Sequence, residues 1–573
     1  MHLPTCLARL LARSPLAAAC LAFAPAAAAQ IVYVDADLTT GANDGSSWAD
    51  AFQGSLGLHT ALVVVPAGGE VWVTAGRYTP SEPGEAISTF ASNVQGFTLR
   101  GGFAGGEASP LERPGPGAPE TVLSGDVLGN DDGTAGSTAD NCSSVLAVSS
   151  LGAFAMEDLR LEGAANTSIF GGTAADIAAT SARIERCSFA DSARDGLEVF
   201  LLVGPPSTVD VVGCTFARCG EAGFEYRLFT PDHSLTVDRC LFEECGFAGL
   251  QIDARDPGTM VIRNSVLRAN DEFGYYLRTG SGGLGTGLLA TRIENCTIVD
   301  NQGPGVEPVA SVPLWSFEIA NTILWGNNDG GGTSGPQFVG NVTGVENLIV
   351  EGLGVAGVLP VDAVFEDYAG GDLTPAAGSP AIDASRAVGF GSLDADFARA
   401  RRAYDDPSVP NTGTGSLDHV DIGALERTPF IGAYGECPAT ANSTGAAGRV
   451  LAFGSLAVQD AALTLAADGL PQQQFGIFLA SRSAGLAPMA GGGQGTLCLG
   501  GAIGRFNAAG QILFTGTAGR FSLAVDLDAV PQPSAFAAVQ PGETWRFQAW
   551  HRDVAPGGGG TNQFTDSVAL LFR

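Results

Sequence analysis

The chain contains no lysine, and all 29 of its cationic residues are arginine. A lysine base, a Schiff base or an isopeptide bond is therefore excluded from any mechanism. Histidine is also scarce, and the copies at 59, 233, 419 and 551 lie too far apart in sequence to show the spacing of zinc ligands. The sequence also lacks a nucleophile elbow, a phosphate loop or a dinucleotide fingerprint ahead of a helical pattern.

Long apolar runs are missing after the first thirty residues. At the start, Arg9 and Arg13 precede an apolar run at 16–23, and three alanines at 27–29 stand before Gln30. A basic start, an apolar run and small residues at a cleavage point are typical of an export signal. We predict a signal peptide at residues 1–29, an extracellular or cell-surface mature protein, and no transmembrane segment.

The charge is strongly acidic, at −31 for the whole chain. The signal holds two arginines and no acid, so the mature chain carries −31 − 2 = −33. Nucleic acids and anionic membranes both select basic surfaces, so neither is expected as a partner. The balance is compatible with divalent cations and with neutral glycans.

A short motif is repeated along the middle of the chain. Its copies begin with Cys or Asn and end with an apolar residue, and they lie at 187–189, 214–216, 240–242, 264–266, 296–298 and 321–323. Each of the first five is followed nine or ten residues later by a glycine: Gly196, Gly223, Gly249, Gly274 and Gly305. A period in the twenties built from short strands and glycine turns predicts an all-β solenoid of parallel strands.

Motifs on either side of the repeat resemble a known family. The segments Ile-Val-Tyr-Val-Asp-Ala-Asp (31–37), Glu-Val-Trp-Val (70–73) and Gly-Gly-Phe-Ala-Gly (101–105) resemble the opening of exported bacterial right-handed parallel β-helix proteins, which share a pectate-lyase-like scaffold. Gly-Ser-Pro-Ala-Ile-Asp (378–383) and Asp-Ile-Gly-Ala-Leu-Glu (421–426) are similar to the choice-of-anchor Q region that ends such helices. The resemblance covers roughly residues 31–428 and implies an N-terminal cap over the first coils.

After residue 429, short apolar or alternating runs separated by Gly, Pro and Asn predict an antiparallel β-sandwich. The expected division is a signal at 1–29, a cap with the first coils at 30–135 and further coils at 136–365. A choice-of-anchor Q-like end follows at 366–428, and the sandwich occupies 429–573.

Nine cysteines remain after the signal. Cys437 and Cys498 are both in the C-terminal part and are the predicted disulfide pair. In the coils, Cys214 and Cys240 are 26 residues apart, as are Cys219 and Cys245. Stacked coils would bring each pair close enough to bridge, but stacked side chains point the same way, which favours buried thiols.

The strand after each repeat glycine gives the candidate site. Alternation places Leu197, Phe224, Leu250, Tyr275 and Val306 inside the coil and the residue after each of them outside. The outward row, expected to bind a ligand, is Glu198, Glu225, Gln251, Tyr276 and Glu307. Two residues further along, stacking would set Asp253 between Arg227 and Arg278.

This face has two interpretations. Glycoside hydrolases need paired carboxylates, and lyases of the resembled family use Ca²⁺ with an Arg or Lys base. Glu225, Arg227, Asp253 and Arg278 supply those residue types and are the catalytic candidates. A surface ladder of alternating charges, worth a few tenths of a kcal/mol per pair, would produce the same columns.

Two acidic loops suggest a structural Ca²⁺, although no cofactor is required by the pattern. One contains Asp35, Asp37 and Asp44; the other contains Asp126, Asp131 and Asp132. Hard cations bind several oxygens that converge from a flexible loop. Solvated turns built from Asp, Asn and Gly have the same composition.

The sequence therefore favours an exported or cell-surface protein that binds glycans or mediates adhesion without catalysis, with a glycan or a cell-envelope component as partner. The first alternative is a polysaccharide lyase or glycoside hydrolase acting along the outer face. The second is a structural component of the cell envelope. The scaffold alone does not decide among them, because it hosts all three.

Overall fold

The computed structural model describes most of the chain after the predicted signal. The described residues are 30–573 except 84–87, 115–117, 132–136, 166–170, 202–207, 229–230, 280–287, 310–314, 328–336, 340–342, 347, 351–357, 360–362, 387–394, 401, 403, 407–408, 415–418, 435–436, 438 and 556. The predicted signal at 1–29 and Asp132 therefore lie outside them.

Residues 31–359 form a right-handed parallel β-helix of about eight turns, as the repeat predicts. Three parallel sheets, here named A, B and C, run along it. The described strands of sheet A, in order, are Phe52–Gln53, Ile31–Asp35, Gly69–Thr74, Phe97–Phe103, Ala153–Glu157, Ser181–Glu185, Thr208–Val212, His233–Asp238, Gly258–Arg263, Leu289–Glu294, Trp315–Ala320 and Gly344–Glu346.

Sheets B and C complete each coil. The described strands of sheet B are Gly76–Tyr78, Thr121–Ser124, Leu159–Glu162, Ser188–Ala190, Thr215–Ala217, Leu241–Glu243, Val266–Arg268, Thr297–Val299, Ile323–Trp325, Leu348–Val350 and Val358–Leu359. Those of sheet C are Phe90–Ser92, Ser144–Ser149, Thr173–Ala179, Leu197–Leu201, Ala222–Leu228, Ala248–Ala254, Phe273–Thr279 and Val306–Val309.

The short strands of sheet B lie between sharp turns. Residues in the left-handed region stand before them at Asp158, Arg186, Gly213, Arg239, Asn264, Asn295 and Asn321, and after them at Gly163, Asp191, Arg218, Glu244, Ala269, Asp300 and Gly326. Asn, Asp and Gly adopt this conformation at the lowest cost, which explains their frequency at these positions. Each coil therefore bends twice within a few residues.

The alignment of repeats from sequence is wrong by one residue at two copies. Sheet B pairs Leu241 with Val266 and Thr297 with Ile323. Ser265 and Thr322 therefore stand at the cysteine position, and the asparagines before them are the left-handed turn residues. A small polar residue fits the cysteine position because its side chain accepts from the backbone N–H of the coil before: Ser265 Oγ lies 3.1 Å from Cys240 N.

The interior is filled by continuous ladders of side chains. Phe189, Phe216 and Phe242 stack with ring centroids 5.0 and 4.7 Å apart. Beyond sheet B, the Asn270 amide donates to Asn301 at 2.8 Å, and the Asn301 amide donates to Asn327 at 2.7 Å. The coil cysteines among the described residues are buried and free. Each ladder satisfies its polar groups on the neighbouring coil, so stacking is specific as well as apolar.

The repeat glycines are required by close approach and not by an unusual backbone angle. A Cβ on Gly223 would lie 2.7 Å from the Gly249 carbonyl oxygen and 2.9 Å from Phe216 Cβ. A larger residue here would force sheet C away from sheet B.

Different structures close the two ends of the β-helix. The α-helix Gly57–Val64 packs Leu58, Ala61 and Leu62 into the core at the first coil. This helix was not predicted, although the resemblance implies a cap. The remaining short helices of the described chain are 3₁₀ turns at Trp48–Asp50, Pro110–Glu112, Ser137–Asp140, Val458–Asp460 and Ala490–Gly492.

After the coils, the described chain from Phe365 to Thr428 contains a hairpin, Phe365–Asp367 with Asp372–Pro375, and is otherwise largely irregular. Buried carboxylates organise that chain. Asp421 accepts the backbone N–H groups of Asp383 at 2.8 Å and Arg427 at 2.7 Å. Glu426 accepts from Asp421 N at 3.1 Å, and its Oε2 lies 3.6 Å from the fully buried Arg402. The acidic residues of the two motifs therefore replace secondary structure as acceptors for buried backbone groups.

The C-terminal domain has two antiparallel sheets around one core, as predicted. One contains Ala433–Tyr434, Gly560–Leu571, Thr544–Val554, Phe475–Ser481, Gly504–Arg505 and Leu513–Phe514; the other contains Arg449–Gly454, Leu463–Asp468 and Phe521–Val525. Two hairpins are added, Ser483–Pro488 with Thr496–Gly500 and Val530–Pro531 with Phe536–Ala537.

A disulfide joins Cys437 to Cys498, with Cα atoms 6.0 Å apart. The strand Ser483–Pro488 packs on the turn Pro110–Glu112, so the C-terminal domain contacts an early part of the β-helix. Within the described residues, no helix is both long and apolar enough to cross a bilayer.

Candidate functional site

The outer face of sheet C has the register expected from the sequence. Glu198 pairs with Glu225, and Glu225 pairs with Gln251. Tyr276 and Glu307 continue this row on the next two coils. In the second row, Asp253 stands between Arg227 and Arg278. The structure therefore brings all the site residues predicted on sheet C onto one face.

The carboxylate of Glu225 lies at the centre of this face and is 3% exposed. Arg227, two residues along the same strand, donates to its Oε2 at 2.8 Å, and the Gln251 amide donates to its Oε1 at 2.7 Å. Arg227 also lies 3.1 Å from Glu198, and Arg278 lies 3.6 Å from Glu225. Glu225 is therefore covered by two guanidinium groups and one amide.

Asp253 pairs with one of the two arginines that flank it in the second row. Its Oδ2 lies 3.2 Å from Arg278 and 3.7 Å from Arg255, which directly follows the strand of Asp253. Arg227 turns instead toward the glutamates of the first row. Arg227 is the one of these arginines that lies within 4 Å of both Glu198 and Glu225, whereas Asp253 has Arg278 and Arg255.

A further buried acid, Asp195, lies beside this row. Its Oδ1 accepts from Ala222 N at 3.0 Å, and its Oδ2 has no hydrogen bond and lies 3.5 Å from Arg194. Burial, with a smaller contribution from the charge of Glu225, raises the pKa of Asp195 to about 7. Burial also raises the pKa of Glu198 to about 7, against the opposing effect of Arg227. Both acids are thus partly protonated at neutral pH.

Asp195, Glu198 and Glu225 form the one group of three metal-ligating side chains found in the described part of the chain, with oxygens within 4.8 Å of one another. Three carboxylates at this spacing have the chemistry of a site for a hard divalent cation. Arg194 and Arg227 already occupy positions beside them, so a cation would have to displace a guanidinium group.

Three aromatic rings lie next to the polar rows. Phe273 and Tyr276 stack with centroids 4.8 Å apart, and Phe247 packs edge-on against both at 5.3 and 5.2 Å. All three are half-buried and partly accessible at the surface. We call Phe247, Phe273 and Tyr276 the aromatic shelf. Two other aromatic residues of these coils lie elsewhere: Tyr275 is in the core, as alternation predicts, and Trp315 packs on Phe317 on sheet A.

Glu307 extends the first row at the far end of sheet C. Its side chain is partly buried, and burial together with the charge of Glu272 raises its pKa. Its row neighbour Tyr276 separates it from Gln251. The row is therefore acidic at both ends and amide or aromatic between them.

The first acidic loop uses its side chains to form turns. Asp35 Oδ1 accepts from Asp37 N at 3.0 Å, and Asp44 Oδ1 accepts from Ser46 N at 3.0 Å. Hydrogen bonds from Ser46 lower the pKa of Asp44. The loop has the architecture of capped turns, and a structural Ca²⁺ there stays a prediction.

The second acidic loop is organised by Asp126. Its carboxylate accepts the N–H groups of Gly129 at 2.7 Å, Asn130 at 3.1 Å and Asp131 at 3.3 Å. The Asn141 amide donates to Asp131 at 2.7 Å. Asp126 thus accepts from backbone donors and Asp131 from a side-chain amide, and a structural Ca²⁺ at this loop also stays a prediction.

Four residues of this face were not predicted from the sequence: Arg194, Asp195, Phe247 and Phe273. All four lie one or two residues before a repeat glycine. Extending the coil register two residues upstream of each glycine would have placed them beside the first row. Alternation of inward and outward side chains begins only at the glycine, so it gives no direction for the residues before it.

Residues 154–321 match the family model described as the right-handed β-helix region. The match begins in the sheet A strand Ala153–Glu157 and spans the coils that carry the site. No curated protein matches the sequence.

Solved structures show weak similarity. ORF18 of Geobacillus virus E2 is 11% identical at a TM-score of 0.33, and the match covers 56% of this chain and 62% of that one, less than two thirds of its length. The mannuronan C-5 epimerase A-module of Azotobacter vinelandii is 16% identical at 0.29, covering 49% and 78%. A PL6-family polysaccharide lyase of Pseudopedobacter saltans is 11% identical at 0.24, covering 56% and 92%. The chain is thus similar to right-handed β-helix proteins over its central coils, and its function has to be argued from its own residues.

Proposed function

We propose that this is an exported or cell-surface protein that binds glycans along the outer face of sheet C, or adheres through them, without cleaving them. The partner is a glycan or another component of a cell envelope. Export rests on the signal-like pattern at 1–29, and the binding role rests on the sheet C face.

One observation carries the proposal: the carboxylates of the face are covered and its arginines and rings are accessible. Glu225 and Asp253 are 3% and 5% exposed. The side chain of Arg278 is 48% exposed, and that of Arg227 is 31% exposed. Catalytic carboxylates must reach the substrate, whereas a binding face needs accessible donors and apolar rings.

The aromatic shelf gives that face its shape. The rings of Phe247, Phe273 and Tyr276 offer an apolar surface on the same face as the half-exposed guanidinium of Arg278. A sugar ring has one apolar face and a rim of hydroxyl groups. Apolar contact with directional polar groups at the margin is the common arrangement of small-ligand sites.

A second function, glycan cleavage, is favoured by the raised pKa values of Asp195 and Glu198, each about 7. A carboxylic acid that is half protonated at neutral pH is suited to general acid catalysis, and Glu225 provides a neighbouring carboxylate. This candidate requires the side chain of Arg227 to move, because it lies over both glutamates.

The two functions are separated by incubating mature protein, beginning at Gln30, with neutral and acidic polysaccharides in the presence of Ca²⁺. Retention on the polymer is measured together with release of reducing or unsaturated chain ends. Retention without chain ends supports the proposal. Chain ends that disappear in Glu198→Gln would establish the enzyme, and the absence of both signals would favour a structural role.

A further inference from the structure

A cleft lies between the β-helix and the C-terminal domain, at the turns that lead from sheet A into sheet B. Its volume is about 420 Å³, which is within the range of small-molecule sites. One wall comes from the β-helix, at residues 102, 110–111, 113–114, 118–120, 158–160, 185–186 and 188. The other comes from Arg399, the disulfide Cys437–Cys498, the hairpin strand Ser483–Pro488 and the last long strands.

The cleft concentrates positive charge in a very acidic protein. Five arginines line it: Arg113, Arg160, Arg186, Arg399 and Arg546. Three acids, Glu120, Asp158 and Glu185, line it with them, so its wall counts 5 − 3 = +2 in a chain of −31. An excess of one sign of charge in a concave site favours ligands of the opposite sign.

The arginines are held in place by acids behind or within the wall. Arg186 makes a two-pronged pair with Asp158 at 2.8 and 2.8 Å, and Arg113 lies 2.6 Å from the same carboxylate. Arg160 is fixed by Glu162 at 2.6 Å, an acid outside the lining set. Preorganised guanidinium groups lose little conformational entropy when they bind an anion.

The rest of the lining is apolar and comes from both domains. Leu111, on the turn Pro110–Glu112, and Leu486, on the hairpin strand, are 37% and 57% exposed. Pro114, Ala118 and Pro119 extend this surface. The wall therefore has an anion-binding part next to an apolar part, and both domains contribute apolar residues to it.

We propose that this cleft binds an organic anion in which a carboxylate or phosphate group is attached to an apolar or aromatic portion. The anion meets the arginines of the β-helix wall, and the apolar portion lies between Leu111 and Leu486. Because both domains contribute, a bound ligand stabilises their docked arrangement by mass action. This site is independent of the proposed glycan face.

The test is isothermal titration calorimetry of the full mature chain with phenyl phosphate. Inorganic phosphate presents the anion alone, and phenyl β-glucoside presents the ring without charge. We expect saturable 1:1 binding of phenyl phosphate and much weaker binding of the other two. Binding of the neutral glucoside as tightly as phenyl phosphate, or no binding of phenyl phosphate at millimolar concentration, would overturn the proposal.

Two variants locate the binding. Arg160→Gln removes one cation, and Leu486→Asp places a negative charge on the apolar wall. Each should weaken binding at least about tenfold. Arg449→Gln is the matched control, because Arg449 is an exposed arginine paired with Asp468 outside the cleft, and it should leave binding unchanged. Both altered side chains are partly exposed, so the variants should unfold at the wild-type midpoint. Equal affinity in the wild type and both cleft variants would mean that phenyl phosphate binds at another surface.

Discussion

Arg227 donates to Glu225 on its own strand at 2.8 Å, although Asp253 stands directly opposite it on the next coil. The choice follows from burial, because Glu225 and Glu198 adjoin the buried Asp195, whereas Asp253 has Arg278 and Arg255. Removing a like-charge conflict in a buried site gains more than adding a third cation to a neutralised one.

Arg227→Met should therefore destabilise the β-helix. It leaves Glu225 and Glu198 buried without their main countercharge. We expect a loss of about 2 kcal/mol in the free energy of unfolding, below the full cost for a buried pair because Arg227 is partly exposed. Urea denaturation measures this loss, and Arg449→Gln should change stability by less than about 0.5 kcal/mol. The double variant Arg227→Met, Glu225→Gln should recover part of it, and no recovery would contradict this role for Arg227.

Stability should rise as the pH falls from about 8 to about 5. The pKa values of Asp195 and Glu198 are raised to about 7 in the folded chain, whereas the same groups have their ordinary pKa near 4 in the unfolded chain. Between these two values the folded state binds protons that the unfolded state does not. The gain is fully present below the unfolded pKa and is lost as the pH rises through 7.

Asp195→Asn isolates this contribution, since Asp421 and Asp396 also have raised pKa values and act in the same direction. The variant should reduce the difference in unfolding free energy between pH 5 and pH 8 by about 1–2 kcal/mol. Asp191→Asn, at a carboxyl that is 45% exposed, is the control and should leave the difference unchanged. An unaltered pH dependence in Asp195→Asn would show that Asp195 is ionised in the fold.

The coil and its outward rows were accessible from sequence because they depend on period and alternation. Glu225, Gln251 and Tyr276 share a row because each lies two residues after a repeat glycine. The partner of Arg227 was not accessible, since a long side chain between two acids is placed by desolvation and rotamer and not by register. The cap helix and the docking of Leu486 near Leu111 depend on contacts between distant segments, which leave no periodic pattern.

Gly223→Ala should be strongly destabilising. The added Cβ would meet the Gly249 carbonyl oxygen at 2.7 Å, and backbone cannot yield as a side-chain tip does. We expect a loss of about 1–3 kcal/mol or more, measured by urea denaturation. Gly559→Ala is the control, because nothing lies within 4 Å of a Cβ there. Equal stability of the two variants would mean that the contact between sheets B and C is looser than described.

The coil cysteines should not react in the folded protein. Burial raises the pKa of the Cys296 thiol to about 12 and places that of Cys214 well above its ordinary value, and both side chains are closed to solvent. Iodoacetamide at pH 8 should add no label to the native chain, since the thiolate is the nucleophile. In urea it should add seven labels, one for each free cysteine of the described chain. Fewer than seven would indicate a disulfide between coils.

The central claim, that the sheet C face binds a glycan through its aromatic shelf, is tested most directly by Tyr276→Ala. Equilibrium binding of wild-type protein and variant is measured on the polysaccharide that best retains the wild type. Phe475→Ala is the matched control, because Phe475 is a 46% exposed ring on the C-terminal domain. The account predicts at least about tenfold weaker binding for Tyr276→Ala and unchanged binding for Phe475→Ala. Unchanged binding by Tyr276→Ala, or retention lost only in the control, would contradict it.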